Sequence, residues 1–368
     1  MGDPAGIGPE IIAGAWEQLR AIPGCQCVVY GHPEVMRRAA ELRTSNPAIA
    51  NARINCITCC GDDVLEVPPG AIDPRAGRAA YSAILQAIGD AQRGAVDAIV
   101  TAPIHKAALH RAGYHYPGHT EIFAERCGVE IYAMMLYLGA GDNLAGQHGL
   151  AVVHVTLHTA MRTIFEQITT ESVLAKIHLA DGFMRRIMGD GRRQTADRSR
   201  VGGEAVSAVS GAVASAVAEG NSSAAVCRLP SAVSSAASSA VLPRIGVCSL
   251  NPHAGEEGLF GDEEIRIIRP AIEQAIAEGI QACGPQPADT IMLDARDGKY
   301  DAIVAMFHDQ GHIALKLLGM YRAVNITLGL PIIRTSVAHG TAFDKAWQGT
   351  ADPGSLLEAV RVAVKLCG

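Results

Sequence analysis

Aromatic residues are scarce: six Phe, two Trp and eight Tyr make up 4% of the 368-residue chain. Charge is also sparse at 18%, and its signs nearly cancel, with Lys+Arg 31 against Asp+Glu 37 for a net −6. Without a cationic excess the chain has no electrostatic footprint for a nucleic-acid backbone, so no nucleic-acid partner is expected. No run approaches the roughly 20 apolar residues that span a bilayer. The longest charge-poor stretch, 205–242, is Ala, Ser, Val and Gly, too polar to cross one. The first residues lack basic charge and hold Asp3, Pro4 and Pro9, which is not the pattern of a signal peptide. What remains is a soluble, cytoplasmic globular protein whose ten cysteines stay mostly as thiols. Cys25 and Cys27, with Cys56, Cys59 and Cys60, have spacings a zinc site can use. Cys27 and Cys56 nevertheless sit in apolar runs, where cysteine acts as a small hydrophobe.

Hydrophobic residues, at 49%, are plentiful, and the length suggests two domains with ample core. Apolar runs of strand length (27–30, 98–101, 133–138, 151–155, 244–249 and 302–306) alternate with helix-period segments such as 77–92, 161–188 and 262–278. That alternation predicts an α/β fold on a largely parallel sheet. Several of the strands run into clusters of Gly, Pro, His, Asn or Thr, where open α/β sheets place their ligands. The segment 189–242 breaks the rhythm: it turns polar, then repetitive in Ala, Ser, Val and Gly, and reads as a poorly ordered insertion.

Four features carry chemistry. The chain opens on GDPAGIGPE ahead of a helix-like run, a glycine-rich loop at a helix start that suits an anion. His158, His253 and His308 each follow an apolar strand. Singly, such a histidine is more commonly structural; together they could bind one divalent cation and leave a position open for substrate. His154, inside its strand, reads as buried and hydrogen-bonded. YPGHTE, with His119 and Thr120, reads as a turn that starts a helix. Lys316, Asn325 and Arg334 form a tail whose cations can hold phosphate or carboxylate, or simply face solvent.

The ordered set GDPAGIGPE, TAPIHK, YPGHTE, VTLHTAMR, LNPHAGEEG, FHDQGH and VNITLGLPIIRTSVAHGTAFD resembles the 4-hydroxythreonine-4-phosphate dehydrogenase family of vitamin B6 biosynthesis, over nearly the whole chain apart from 189–242. The resemblance implies a two-domain α/β/α fold of the isocitrate/isopropylmalate dehydrogenase type, with a low-complexity insertion. One domain would comprise 1–113 plus 315–368 on the cofactor side, and the other 114–314 on the metal and dimer side. It implies a homodimer with shared active sites, NAD or NADP as cofactor, and one divalent metal (Zn, Mg, Co or Mn) on His158, His253 and His308. His119, Thr120, Lys316, Asn325 and Arg334 would contact substrate. Asp289 and Asp309 would assist proton transfer. Cofactor would lie along 325–341, against Gly329, His339, Gly340 and Thr341.

The implied reaction oxidises 4-phosphooxy-L-threonine and decarboxylates it to 3-amino-2-oxopropyl phosphate. His312 and the run 313–318 are similar instead to a sister branch acting on D-threonate or D-erythronate 4-phosphate, which yields dihydroxyacetone phosphate and CO2. Three departures stand out. The family usually has a strand before GDPAGIGPE, which here starts at Met1; a start set too late is the expected cause. His158 and His253 are 95 residues apart, about twice the family interval, because of the insertion, which a surface loop tolerates. Ala338 stands where the family generally has Asp, which removes an acidic partner near the cofactor. These departures also admit a catalytically silent, ligand-binding relative.

Overall fold

A computed structural model describes residues 1–43, 54–141, 143–189, 241–319 and 322–368. The insertion expected over 189–242 lies, but for its ends, outside the described residues.

Among the described residues ten strands form in chain order: β1 (Val29–Gly31), β2 (Cys56–Thr58), β3 (Ala98–Thr101), β4 (Ala133–Leu138), β5 (Leu150–His154), β6 (Arg244–Cys248), β7 (Gln281–Gln286), β8 (Ala302–Ala305), β9 (Ala323–Leu328) and β10 (Ile333–Val337). Eight of them make one sheet in the order β3-β10-β9-β4-β5-β8-β6-β7, and β1 and β2 pair separately. The expectation of a largely parallel sheet needs correction at its centre. There β9 runs antiparallel to both β10 and β4, and β4 antiparallel to β5. Only four residues, from Gly329 to Ile332, link β9 to β10, too few for the crossover that a parallel pair requires. The flanking pairs β3/β10, β5/β8, β8/β6 and β6/β7 are parallel.

The helices are α1 (Gly8–Arg20), α2 (Pro33–Arg43), α3 (Pro74–Gln92), α4 (Lys106–Arg111), α5 (His119–Cys127), α6 (Ile164–Gln167), α7 (Thr170–Met188), α8 (Arg269–Ala277), α9 (Ala288–Arg296), α10 (His308–Gly319) and α11 (Gly354–Cys367). The single helix read over 161–188 is interrupted. Thr169 and Ser172 form a capping box that starts α7 afresh. The segment read as a helix over 262–278 begins with a π-type turn at Glu264–Ile268 before α8. Among the described residues, no helix is long and apolar enough to cross a membrane.

Side chains of successive strand residues alternate between the two faces of the sheet. Ala151 and Val153 of β5, with Ala302 and Val304 of β8, join the core under α7, α8 and α11. Leu150 and Val152, with Ile303 and Ala305, join the core under α9 and α10. His154 continues the second series, so its ring projects toward α10. A third core gathers α1, α2, β1 and part of α11.

Between β1 and β3 lies a cavity of about 1020 Å³, lined by apolar side chains such as Ile12, Trp16, Ile84 and Val360. Met1 and Gly2 also line it. The Met1 amine donates to the Tyr30 carbonyl at 2.9 Å, and the Asp3 N–H to the Pro103 carbonyl at 2.9 Å. Eight cysteines, including Cys25, Cys27, Cys56, Cys59 and Cys60, are free thiols, and no cluster of metal-ligating side chains forms among the described residues.

Asp3 is only 1% exposed. Its Oδ1 accepts from the Ala5 N–H at 2.9 Å, while Oδ2 is buried without a partner. Burial pushes its carboxyl up to about 6, against hydrogen bonds that pull it down. An acid whose folded-state pKa is raised loses stability as pH climbs from its unfolded value, near 4, through about 6. Asp3→Asn keeps the acceptor and removes the charge. It should therefore raise thermal stability at pH 8, by at most about 3 kcal/mol, and bring no gain at pH 4. Melting curves at both pH values check this; destabilisation at both would refute it.

Candidate active site

Strands β5, β8 and β6 are neighbours and mutually parallel, so their carboxyl ends emerge along one edge of the sheet. The loops leaving that edge carry His158, His308 and His253. A Gln310 clasp joins two of these loops: its Oε1 accepts from the Met306 N–H at 2.7 Å and its Nε2 donates to the Ser249 carbonyl at 2.8 Å.

His158 and His308 face each other with ring centroids 5.6 Å apart. This separation is close to the roughly 5–5.5 Å between the centroids of two imidazoles on one tetrahedral zinc-type site. Nδ1 of His308 is engaged by the Asp309 carboxylate at 2.7 Å, which leaves Nε2 free. The same arrangement holds at His253, whose Nδ1 meets the Glu256 carboxylate at 2.7 Å. A carboxylate on the far nitrogen is the usual outer support of a metal-binding imidazole.

His253 does not join the other two within one chain, since no set of three potential metal ligands converges among the described residues. Its side chain is 69% exposed, on a turn in which His253 to Glu257 all have left-handed φ, from 41° to 78°. Four of those five are not glycine, and each such residue costs about 1–2 kcal/mol. The buried Glu264 carboxylate braces this turn at its base by accepting from the N–H groups of Leu250 and Asn251, both at 2.8 Å. Strain held this way belongs where geometry serves function rather than stability.

Behind His308 stand two more imidazoles, His312 on α10 and His154 at the end of β5. Burial pushes the His154 ring down to about 4 and the His312 ring to about 2, with neighbouring imidazoles adding to it. His158 is also lowered, chiefly by burial and then by Lys106. His154, His158 and His312 are thus neutral at physiological pH.

A second pole centres on Arg334, buried on β10. Its guanidinium donates to Thr327 Oγ1 at 3.0 Å and Thr101 Oγ1 at 2.7 Å, and lies 5.5 Å from the Phe123 ring. Nε has no partner. Burial lowers it to about 9, with Glu121 acting in the opposite direction. A buried cation answered only by neutral hydroxyls and a ring is arranged for an incoming anion. His119 opens α5 beside it, held well below its ordinary pKa by burial and by the Arg334 charge, with Nε2 unpartnered. Thr120 follows in the first turn of α5, whose N–H groups favour negative charge. Asn325, on neighbouring β9, has a buried Oδ1 without a donor. Glu121 acts electrostatically on both Arg334 and His158, which ties the two poles together.

The remaining candidates are placed as follows. Lys316 lies two turns along α10 from His308, near enough to act on His312. Asp309 is spent on His308. Asp289, exposed at the start of α9, accepts from the Thr290 hydroxyl at 3.3 Å. Gly329 turns β9 toward β10 with φ 87°, and a Cβ there would lie 2.4 Å from the Ile131 carbonyl. The Thr341 carbonyl accepts from the Ile7 N–H at 3.1 Å, joining the 339–341 segment to the glycine-rich opening loop. Gly340 has open space around its α-carbon, and His339 Nδ1 meets the Gly340 carbonyl at 3.0 Å. Sequence reasoning missed Thr101, Thr327, Phe123 and Glu256. They matter through cross-strand or turn contacts, and no local pattern marks them.

A model of the pyridoxal phosphate biosynthetic protein PdxA family matches residues 23–196 and 211–363. The chain belongs to this family. Among PdxA relatives, a D-threonate 4-phosphate dehydrogenase of Pectobacterium atrosepticum is 39% identical, covering 100% of this chain and 97% of its own. A 4-hydroxythreonine-4-phosphate dehydrogenase of Beijerinckia indica is 41% identical, covering 100% and 93%. The crystal structure of a 4-hydroxythreonine-4-phosphate dehydrogenase from Klebsiella pneumoniae has a TM-score of 0.72 at 38% identity, covering 100% and 98%. The PdxA chain is thus similar to dehydrogenases of two named activities.

Arg334→Met keeps the side-chain bulk and removes the buried charge. The variant should fold with unchanged or higher melting temperature, yet bind inorganic phosphate 10- to 100-fold more weakly, the worth of one or two charge-assisted hydrogen bonds. Calorimetric titration and a melting curve check both halves; wild-type phosphate affinity would refute the anion role.

Proposed function

We propose that this protein is a homodimeric, cytoplasmic NAD(P)-dependent dehydrogenase that oxidises the 3-hydroxyl of a four-carbon acid 4-phosphate and releases its carboxylate as CO2. The observation that carries the reading is the pairing of the facing His158 and His308 imidazoles with an unanswered buried cation at Arg334. The substrate in the main reading is 4-phosphooxy-L-threonine, giving 3-amino-2-oxopropyl phosphate for pyridoxal phosphate synthesis. A second reading takes D-threonate or D-erythronate 4-phosphate, giving dihydroxyacetone phosphate. It is favoured by His312, placed against His308, in the run where the sequence is similar to that sister branch. Identities of 39% and 41% to relatives of the two names do not separate the readings.

Arg334, Asn325, Lys316, His119 and Thr120 would bind the phosphate and carboxylate, orienting the carbon between them. His158 and His308 would hold a divalent metal through Nε2, with His253 of a second copy completing the set. Gly329, His339, Gly340 and Thr341 would line the nicotinamide cofactor, where the bare Gly340 allows close backbone approach. When bound, the metal would polarise the substrate hydroxyl and the nicotinamide would accept hydride. Asp309 holds His308 with its free nitrogen outward, and Asp289 is the remaining candidate for moving the proton. Binding energy at the phosphate, a group that takes no part in the bond changes, serves orientation.

NADH and NADPH formation should be followed with the three phosphorylated acids, with and without EDTA. Turnover of one of them, abolished by EDTA and restored by a divalent metal, is expected. His253→Ala and His308→Ala should each lose bound metal and activity. Absence of turnover with all three would turn the reading to a ligand-binding relative.

A further inference from the structure

Helix α10 carries His308, His312 and Lys316 four residues apart, so the three stack along one helix face. The His312 ring lies flat against that of His308, with centroids 3.8 Å apart and planes 14° apart. Its Nδ1 meets Nε2 of His154 at 3.0 Å. His154 has no exposed surface and His312 only 6%, so this pair is part of the wall behind the site. Gly311 permits the contact: a Cβ there would lie 2.7 Å from His154 Nε2 and 2.5 Å from Val152 Cγ1.

Two buried imidazoles are a poor choice for stability alone. An aliphatic pair would fill the space without desolvating polar atoms, and one hydrogen bond returns only about 1 kcal/mol. A directional bond does supply orientation, which packing of round aliphatic groups does not. His312 is pinned by the rigid end of β5 and presents a flat face to His308, whose edge is fixed by Asp309. The ring plane of His308 is therefore set from two sides.

We infer that His312, anchored by His154, is a positioning residue that holds the His308 imidazole in the orientation needed for metal binding. The inference rests on the reading of His308 as a metal ligand. Lys316 lies one turn further along the helix and His158 lies across from His308, so neither supplies this support.

The test is Co2+ binding to the full-length protein freed of metal by EDTA, followed by calorimetry and by the visible cobalt spectrum. His312→Ala should weaken Co2+ binding 10- to 100-fold, the usual loss when outer support of a metal-binding histidine is removed. His312→Phe keeps a flat ring but loses the bond to His154, and should recover only part of that loss. Circular dichroism melts identify any variant that has not folded, and His312→Phe tests the idea if the alanine variant fails. Should His308→Ala bind Co2+ as the wild type does, the metal reading itself is lost. If His308→Ala loses Co2+ but His312→Ala retains wild-type affinity, only the positioning role is overturned. A His312→Phe protein that binds Co2+ as tightly as the wild type would also overturn it, because the bond to His154 would then not be what holds the ring.

Discussion

How closely helix α10 approaches strands β5 and β8 decides the geometry of the imidazole pole. That approach is possible because Gly311 lacks a Cβ, which would otherwise meet Val152, His154 and Ala305 within about 3 Å. The surrounding residues use the proximity in turn. His308 faces His158, Asp309 engages its far nitrogen, Gln310 ties the β8 loop to the β6 loop, and His312 backs the ring. Five consecutive residues thus have five different physical tasks. Moving the helix outward would loosen all of them together, so the segment acts as one unit.

The strained turn after β6 poses a different problem. Its left-handed residues are held at the base by Glu264, yet His253 itself stands in solvent. An exposed histidine on a braced turn stands where a neighbouring molecule could reach it. A second copy of the chain would supply that setting, in keeping with the proposed homodimer.

Much of this was legible in the sequence, for identifiable reasons. Strands β3 and β4 are continuous apolar runs bounded by turns, and both fall where the pattern puts them. The helix start within YPGHTE, at His119, follows from its Gly and Pro, and His154 is buried and hydrogen-bonded as read. Strand β7, Gln281–Gln286, was missed because a Gly-Pro pair inside it hides the period; such a strand survives only at an edge, which is its place. The antiparallel centre was missed because β9 and β10 are not among the runs read as strands, and because strand direction depends on connections rather than on residue type. Likewise the partner of His154 lies 158 residues away and is chosen by the order of strands in the sheet. Arg334 was found as a cation, but its burial and its hydroxyl partners come from β3 and β9 crossing beside it.

One physical cause serves both poles. Burial disfavours the positive charge of His154, His312 and Arg334 alike, but the groups start from different values. The His154 and His312 imidazoles, starting near 6.5, are driven down and stand neutral behind His308, while the Arg334 guanidinium falls only to about 9 and remains a cation at neutral pH. Burial can therefore leave a neutral imidazole wall at one pole and an unpaired positive charge at the other. A polar substrate with a phosphate at one terminus and a hydroxyl further along would meet both, each strengthened by the exclusion of water that created it. Opening the cleft to solvent would weaken both ends together, protonating the imidazoles more readily and hydrating the guanidinium.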